Sequence, residues 1–542
     1  MTAAAPTSSS PGARALMGRT LAVALTGMQG NLVEVEADIG QSLPGFVLLG
    51  LPDQSLQESR DRIKAAARNS GLPLTRRQLT VNLLPAALHK RGPGFDLAIV
   101  MAAYTADRQV SGTHRSVFLA ELGLDGRLRH APGVLPSVLA AVDAGHPDVV
   151  VAADSVDEAR LVPGARVQGF ETLAQVIRAF GGTPDPVTVP AAFHRPDRAA
   201  APNPAGPLES AHGAPREAAV PDLADVVGQQ EARYALEVAA AGGHHLLLEG
   251  SPGAGKTMMA ERLPGILPRL DDRTALEVTA VRSLAPRAGQ AARLVRTAPF
   301  EAPHHSSSMA ALVGGGSGLA RPGAVSLAHG GVLFLDEAPE FDRRALDALR
   351  QPLESGTVTL HRAAGAVTYP ARFQLVLAAN PCPCGWGIGR ASRCRCTSLQ
   401  RRRYAGRLSG PLLDRVDVQV VVPSVPASAL TTGPRGEDSA TVASRVRAAV
   451  ERQRERLAPW GLTRNAHLPG SLLRDGALAP ERAHCRALDS AVDQGLITAR
   501  GYARVLRLAW TVADLNGTDR PSASEIDTAL HLRRRGEGEE QS

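Results

Sequence analysis

An α/β protein with more than one folded unit is what this 542-residue chain calls for. An apolar run, His245-Leu-Leu-Leu-Glu, leads into a glycine-rich loop and then into a helix start at Met258-Met-Ala-Glu-Arg-Leu. A second apolar run, after Gly331, ends in the acid pair Asp336 and Glu337. Between Pro184 and Pro215 lie eight prolines among Ala, Gly and His with no apolar period, so residues 181–219 read as an extended linker. At roughly 100–200 residues per domain the length allows three or four domains, each able to bury a core. The boundaries expected are a disordered N-terminus at 1–17, a mixed strand and helix domain at 18–180, the linker, an α/β nucleotide domain at 220–426, a helical lid at 427–534 and a polar tail at 535–542.

The elements follow in order. Gly45-Phe-Val-Leu-Leu-Gly-Leu reads as a buried strand, residues around Gln57 to Asn69 as a helix, Gln78-Leu-Thr-Val-Asn-Leu as a strand, and Asp96 to Ala103 as the start of an apolar helix. Thr357-Val-Thr-Leu-His-Arg-Ala-Ala-Gly-Ala-Val-Thr-Tyr alternates on both sides of a small-residue turn and reads as a hairpin with His361 and Arg362 near its tip. Phe373-Gln-Leu-Val-Leu-Ala-Ala is a third apolar strand, ending at Asn380. Pro423 to Asp438 is a weak boundary, beyond which 439–460 and 478–534 show helical spacing of Ala, Leu and Val.

Composition excludes several classes. With 44% apolar and 21% charged residues the chain is not a disordered polyelectrolyte. It has no uninterrupted apolar run of about 18 residues, so no spanning helix is expected. Leu21 to Met28 is broken by Thr26 and lacks a cleavage site, so a signal peptide is not expected. Four of the five cysteines fall within fifteen residues, a pattern of a metal clip or redox site in a cytoplasmic protein rather than of a disulfide scaffold. Residues 1–219 carry 20 basic and 20 acidic side chains, whereas 220–542 carry 40 and 33, so the net +7 lies in the second part. Arg390 to Arg407 alone holds seven arginines and no acid, the local pattern of a polyanion contact. The chain as a whole has 57 arginines and three lysines, so global basicity also reflects arginine usage on solvated faces.

The nucleotide signal is complete. Gly250, Ser251, Pro252, Gly253, Ala254, Gly255, Lys256 and Thr257 match G-x-x-x-x-G-K-[ST] between a strand and a helix. Glycines let backbone N–H groups close around phosphates, and the helix N-terminus favours their charge. Lys256 is the one lysine after residue 90; its role is to reach the β/γ-phosphates of ATP, while Thr257 binds Mg²⁺. Asp336 then holds the Mg²⁺ shell and Glu337 polarises the attacking water, although acids at such a position also serve as helix caps.

Several stretches carry a family resemblance. Gly50-Leu-Pro-Asp-Gln-Ser, Glu58-Ser-Arg-Asp-Arg-Ile, Val81-Asn-Leu-Leu-Pro-Ala, Gly94-Phe-Asp-Leu-Ala-Ile, Pro303-His-His-Ser, Ala311-Leu-Val-Gly-Gly-Gly-Ser, Leu349-Arg-Gln-Pro-Leu-Glu and Asn380-Pro-Cys-Pro-Cys-Gly resemble the magnesium-chelatase-like AAA+ ATPases of the ComM (YifB) family over about 18–530. The resemblance implies a ribosomal-protein-S5 domain-2-like fold for the first domain, shared with the Lon protease domain. A Lon-type site needs a serine and a lysine in reach of one another; alignment puts Gly94 and Leu135 at those positions, so the domain is expected to be non-proteolytic. The resemblance also implies roles: Asn380 as sensor 1, Arg415 in Ser409-Gly-Pro-Leu-Leu-Asp-Arg as an arginine finger acting on a neighbour's ATP, and Arg500 as sensor 2 with Arg504 as the alternative. An ordinary salt bridge from Arg415 to Asp414 or Asp417 is the competing reading. Glu301-Ala departs from the family, which usually has an arginine before the His pair. In this branch the hairpin and the insert around Gly314 to Gly318 point into the pore of a ring.

Cys382 and Cys384, then Cys394 and Cys396, form C-x-C, nine residues, C-x-C. Four thiolates close a tetrahedral Zn²⁺ site, favoured by neighbouring arginines, yet this spacing is tighter than the usual C-x₂-C, and buried reduced cysteines remain the alternative. Cys485 stands alone and reads as structural. His361, Arg362, Arg401, Arg402 and Arg403 are the candidate DNA contacts. The expectation is thus a cytoplasmic, Mg²⁺-dependent ATPase forming a homo-oligomer, a hexamer, with no membrane partner. The resemblance implies a motor on single-stranded or branched DNA, promoting branch migration in recombination and natural transformation. A metal-insertion motor with chelatase partners and an ATP-gated scaffold are the competing readings; no D-x-S-x-S metal-adhesion pattern is present.

Overall fold

The computed structural model describes residues 17–41, 43–50, 53–85, 88, 90, 93–186, 220–284, 293–315, 321–362, 365–387, 394–425, 436–474 and 476–533, without the side chains at 53–56, 93, 362 and 365. The expected linker at 187–219, the stretches 1–16, 316–318 and 390–393, and the tail from 534 lie outside these residues. The chain divides into two compact units, 1–211 with 282–294, and 212–281 with 295–542.

The first unit is a seven-stranded mixed sheet in the order Gly45–Leu49, Gln78–Leu84, Gln29–Gly40, Met17–Thr26, Val117–Leu119, Asp148–Ala152, Arg166–Phe170. The helix Asp96–Ala106 is apolar on all sides and almost wholly buried, as a central helix must be. It lies so close to the sheet that a Cβ on Gly18 would come within 2.1 Å of the Ala102 carbonyl oxygen. Its first residue, Asp96, is buried and held by Arg62 Nε at 2.8 Å. The strand expected over 45–51 differs: it ends at Leu49, and Gly45, Val47 and Leu49 are exposed, because it is the outermost strand and covers the core with one face only. The helix that follows begins earlier than expected, at Asp53. Gly94 sits in a short turn, Pro93–Phe95, and Leu135 is buried at the start of the helix Val134–Asp143, so neither position offers a nucleophile or a base.

The second unit is built on a five-stranded parallel sheet in the order Phe300–Glu301, Val332–Leu335, Gln374–Ala379, Leu246–Glu249, Val418–Val421. Of the three inner strands, Val332–Leu335 and Gln374–Ala379 are buried at every residue, which is why they read as near-continuous apolar runs. The helices of the expected lid pack onto the sheet and the P-loop helix. Val446 and Ala449 of the helix Ser439–Leu457, Trp510 of Ala499–Asn516 and Ile526 of Ala523–Arg533 join Leu246, Leu248, Met259 and Leu263 in one cluster. The opposite face of the sheet packs Leu247, Leu333, Leu335, Leu375 and Leu377 against Leu346, Leu349, Val358 and Val416. The hairpin pairs Thr357–Arg362 with Gly365–Pro370. The span 478–534 resolves into the helices Arg486–Asp493, Ala499–Asn516 and Ala523–Arg533. No helix among the described residues is long and apolar enough to cross a membrane.

A buried polar chain joins sheet and lid. Asp417 accepts from His244 Nδ1 at 3.1 Å and is ion-paired with Arg504; His244 Nε2 meets Thr511 Oγ1 at 2.8 Å; Asn465 donates to Thr511 at 3.1 Å and to Asp514 at 2.8 Å. Burial alone would raise the Asp417 pKa, but the His244 hydrogen bond and the Arg504 charge drive it far below the usual carboxylate range.

Candidate functional site

The P-loop leaves its strand at Gly250, whose N–H donates to the Ala379 carbonyl at 3.1 Å; a Cβ there would meet the Val422 carbonyl oxygen at 2.4 Å. Gly253 and Gly255 have φ of 75° and 93°, which a larger residue adopts only with strain, and they turn the chain into the helix Lys256–Ile266. The loop folds around the lysine. Lys256 Nζ donates to the carbonyls of Gly250 at 2.7 Å and Ser251 at 3.0 Å, and to Asn380 Oδ1 at 3.0 Å. Burial lowers its pKa, and the charges of Asp336, Glu337 and Glu249 oppose that shift. Asn380 therefore meets the P-loop from the tip of the adjacent strand, the position the sequence assigns it.

Thr257 Oγ1 donates to Asp336 Oδ2 at 2.7 Å, so the two expected metal-binding oxygens are already side by side. The Glu337 N–H donates to Asp336 Oδ1 at 2.9 Å, with the Glu337 backbone at φ 50°. This left-handed turn directs the two acids differently: Asp336 faces Thr257, and Glu337 Oε2 lies 3.3 Å from His305 Nδ1. His305 packs against His304 with centroids 4.1 Å apart and the rings tilted by 35°. His305 sits in a loop without periodic signal, so nothing local in the sequence marks it. The same holds for Gln229, whose Nε2 donates to the Ala254 carbonyl at 2.5 Å and the Pro423 carbonyl at 3.1 Å, pinning the P-loop from outside. Its φ of 50° after Gly228 is the local mark of a shaped turn, visible only in three dimensions.

The expected arginines lie at the other end of the sheet. Arg415 precedes the strand Val418–Val421, donates to the Pro411 carbonyl at 2.5 Å and is ion-paired with Glu354, not with Asp414 or Asp417. Arg504 is committed to Asp417 and to the Arg415 carbonyl at 3.2 Å. Arg500 is exposed and makes none of the hydrogen bonds or ion pairs found among the described residues, which leaves it, rather than Arg504, able to reach outward. Arg372, Arg415, Arg464, Arg500, Arg504 and Arg507 all line one cavity of about 1100 Å³. The sheet thus separates the P-loop end, rich in hydrogen-bond donors and acids, from an arginine-rich end.

The cysteines converge. The Sγ atoms of Cys382, Cys384, Cys394 and Cys396 all lie within 4.8 Å of one another. Backbone N–H groups of Trp386 and Arg395 draw the Cys384 thiol down to about 6, while burial pushes Cys382 up to about 12. Cys485 is buried in the helical core, as expected of a structural residue. Arg401, Arg402 and Arg403 ride on the helix Ser398–Ala405, capped by Thr397 and Gln400, with Arg402 and Arg403 exposed. Arg407, at the end of the same basic segment, is tied to Glu340 at 2.5 Å. His361 is exposed near the hairpin end; Arg362 is the last paired residue, and its side chain lies outside the described residues.

Three family models match the chain: "Subunit ChlI of Mg-chelatase" over 35–155, "Magnesium chelatase, subunit ChlI" over 222–430, and "Magnesium chelatase, subunit ChlI C-terminal" over 436–533. The uncharacterized protein Rv2897c of Mycobacterium tuberculosis is 48% identical over 522 residues, covering 96% of this chain and 99% of the relative. Competence protein ComM of Haemophilus influenzae is 40% identical over 519 residues, 94% of this chain and 95% of the relative. YifB of Escherichia coli is 39% identical over 513 residues, 94% and 96%. The chain belongs to the magnesium-chelatase ChlI-like family that includes YifB and ComM.

Proposed function

We propose that this member of the ChlI-like family is a Mg²⁺-dependent AAA+ ATPase that acts as a ring of identical chains, a hexamer, driving movement on single-stranded or branched DNA. One observation carries the reading: the P-loop, Asp336, Glu337 and Asn380 lie at one end of the parallel sheet, and Arg415 and Arg500 at the other. Two such halves complete one site only between neighbouring chains.

The donors fit Mg²⁺, because a hydroxyl and a carboxylate oxygen, the hard ligands it prefers, stand 2.7 Å apart at Thr257 and Asp336. Bound there, the ion would neutralise charge on the β/γ-phosphates. The chain does the rest. Lys256 exchanges its loop carbonyl partners for phosphate oxygens. Asn380, already within reach of Lys256, orients the water near the γ-phosphate. Glu337 accepts the water's proton. Arg415 and Arg500 of the adjoining chain stabilise charge spread over the transferring phosphoryl group, a contribution of ~10³–10⁵ in rate for arginine fingers generally.

The DNA reading is supported by the competence protein among the relatives and by the exposed arginines of Ser398–Ala405. Branch migration during recombination and natural transformation is the process it implies. The first unit, with Gly94 and Leu135 where a Lon-type site would need its serine and lysine, fits an S5 domain-2-like docking platform without protease activity. The family descriptions favour one second reading, a motor for metal insertion. ATP-dependent unwinding of forked and four-way DNA tests the proposal. Strand separation that requires ATP supports it; ATP hydrolysis unaffected by any DNA, with no strand separation, refutes the DNA motor and favours the second reading.

A further inference from the structure

The sulfurs of the two C-x-C turns, Cys382 with Cys384 and Cys394 with Cys396, meet at one point. Cys382 Sγ lies 3.3 Å from Cys384 Sγ and 3.7 Å from Cys394 Sγ, and Cys384 and Cys394 are 3.8 Å apart. A tetrahedral ion with metal–sulfur bonds of about 2.3 Å holds its sulfurs about 3.8 Å from one another. A disulfide would instead bring a pair to about 2.05 Å, and all four cysteines are free. An iron–sulfur cluster interposes several atoms between its cysteines and would spread them further apart. Only Cys382 is buried, and Cys384, Cys394 and Cys396 are partly exposed, so hydrophobic burial alone does not account for four sulfurs meeting at one point.

The surroundings give the site a purpose. Cys382 follows Asn380 by two residues, and the Gly385 N–H donates to the Cys382 carbonyl at 2.9 Å. Gly385, at φ 81°, packs onto the P-loop so closely that a Cβ would fall 2.5 Å from the Pro252 ring. Cys396 directly precedes Thr397, the cap of the arginine-bearing helix. One ion would therefore pin three things together: the tip carrying Asn380, the outer wall of the P-loop, and the start of the helix with Arg401, Arg402 and Arg403.

We propose that Cys382, Cys384, Cys394 and Cys396 bind one structural zinc ion, with all four ligands from the protein and no open position. Zinc suits a closed four-thiolate tetrahedron, which keeps no place for water or substrate. The inference stands on the sulfur geometry and does not depend on the ATPase reading.

Metal content of the purified full-length protein tests it. Elemental analysis should find about one zinc per chain, and Cys394→Ser and the Cys384→Ser/Cys394→Ser pair should fall below about a tenth of that. Because such variants can misfold, the wild-type protein gives a second measurement: an organomercurial should release the zinc in step with about four thiols, read with a chromogenic chelator. Cobalt substituted for zinc should show the intense absorption of a tetrahedral thiolate site. Four thiols that react rapidly in the untreated protein, a disulfide within the cluster, iron in place of zinc, or zinc that stays well below one per chain after supplementation would each overturn the proposal. None of these readouts uses ATP or DNA, so failure here and failure of the motor reading are separate results.

Discussion

Replacing Glu337 by Gln should stop turnover while leaving nucleotide binding intact. The substitution changes one oxygen to nitrogen at nearly constant volume. The backbone N–H of residue 337 still donates to Asp336 Oδ1, so the pairing of Asp336 with Thr257 at 2.7 Å is preserved. Lys256 and Asn380 do not touch this side chain and keep their 3.0 Å hydrogen bond. The contact with His305 is half exposed, and even a fully charged pair at such a place is worth under about 1 kcal/mol, so folding should not suffer without it. What disappears is the proton acceptor, a contribution of ~10²–10⁴ in rate, or about 3–5 kcal/mol of barrier. Lys256→Ala is the contrast: it strips an ammonium that makes three hydrogen bonds and should weaken binding itself. Steady-state phosphate release gives kcat, and titration with a fluorescent ATP analogue gives Kd. The expected pattern is kcat down by ~10²–10⁴ in Glu337→Gln with Kd within about threefold of wild type. A kcat within about tenfold of wild type would remove Glu337 as the base.

Arg415→Ala and Lys256→Ala should each be inactive alone, yet mixed assemblies should regain part of the activity, since some interfaces pair an intact loop with an intact arginine; no recovery in confirmed mixed assemblies would refute action in trans. Arg401→Ala/Arg402→Ala/Arg403→Ala should flatten the salt dependence of DNA binding, by a log–log slope of roughly 0.7–0.9 for every phosphate no longer neutralised, and leave DNA-independent ATPase activity unchanged; an unchanged slope would move the DNA path to the hairpin. His245 accepts the Leu375 N–H at Nδ1 at 3.0 Å, and desolvation holds its pKa at about 4 against 6.5 unfolded. Between those values the unfolded chain binds the extra proton, so stability from this residue is present above about 6.5 and is lost as pH falls towards 4, by up to about 3 kcal/mol. Urea unfolding of wild type and His245→Gln from about pH 7 to 4.5 should show the two converging on the acid side, and parallel curves would contradict the assignment.

What could be read in advance was local in sequence. A strand, a glycine loop and a helix occur within Leu246–Ile266, and the run Val332–Leu335, one strand removed from it in the sheet, announces its burial by composition. The edge strand Gly45–Leu49 reads as buried from sequence because five apolar or small residues look alike whether one face is covered or two; only its place beside Gln78–Leu84 settles which. Contacts between distant segments carried no signal. His305 and Glu337 are far apart in the chain, as are Asp417 and His244, and their meeting depends on strand order. The C-x-C spacing left two readings open because spacing does not say whether the second turn folds back onto the first; the 3.7 Å and 3.8 Å separations between turns do.

The strand Val418–Val421 runs parallel to Leu246–Glu249, starting level with it. Arg415 comes before one strand begins and Gly250 after the other ends, so about 13 Å of sheet, four residues at ~3.3 Å each, stands between them. A lone chain under the trans reading is therefore not a slow enzyme but an incomplete one. Its output per molecule should depend on how much protein is in the tube: dilution should lower specific activity, not merely total activity, and a concentrated solution should recover it. A cell making little of the protein would then switch the activity on over a narrow range of abundance, without any ligand to signal it.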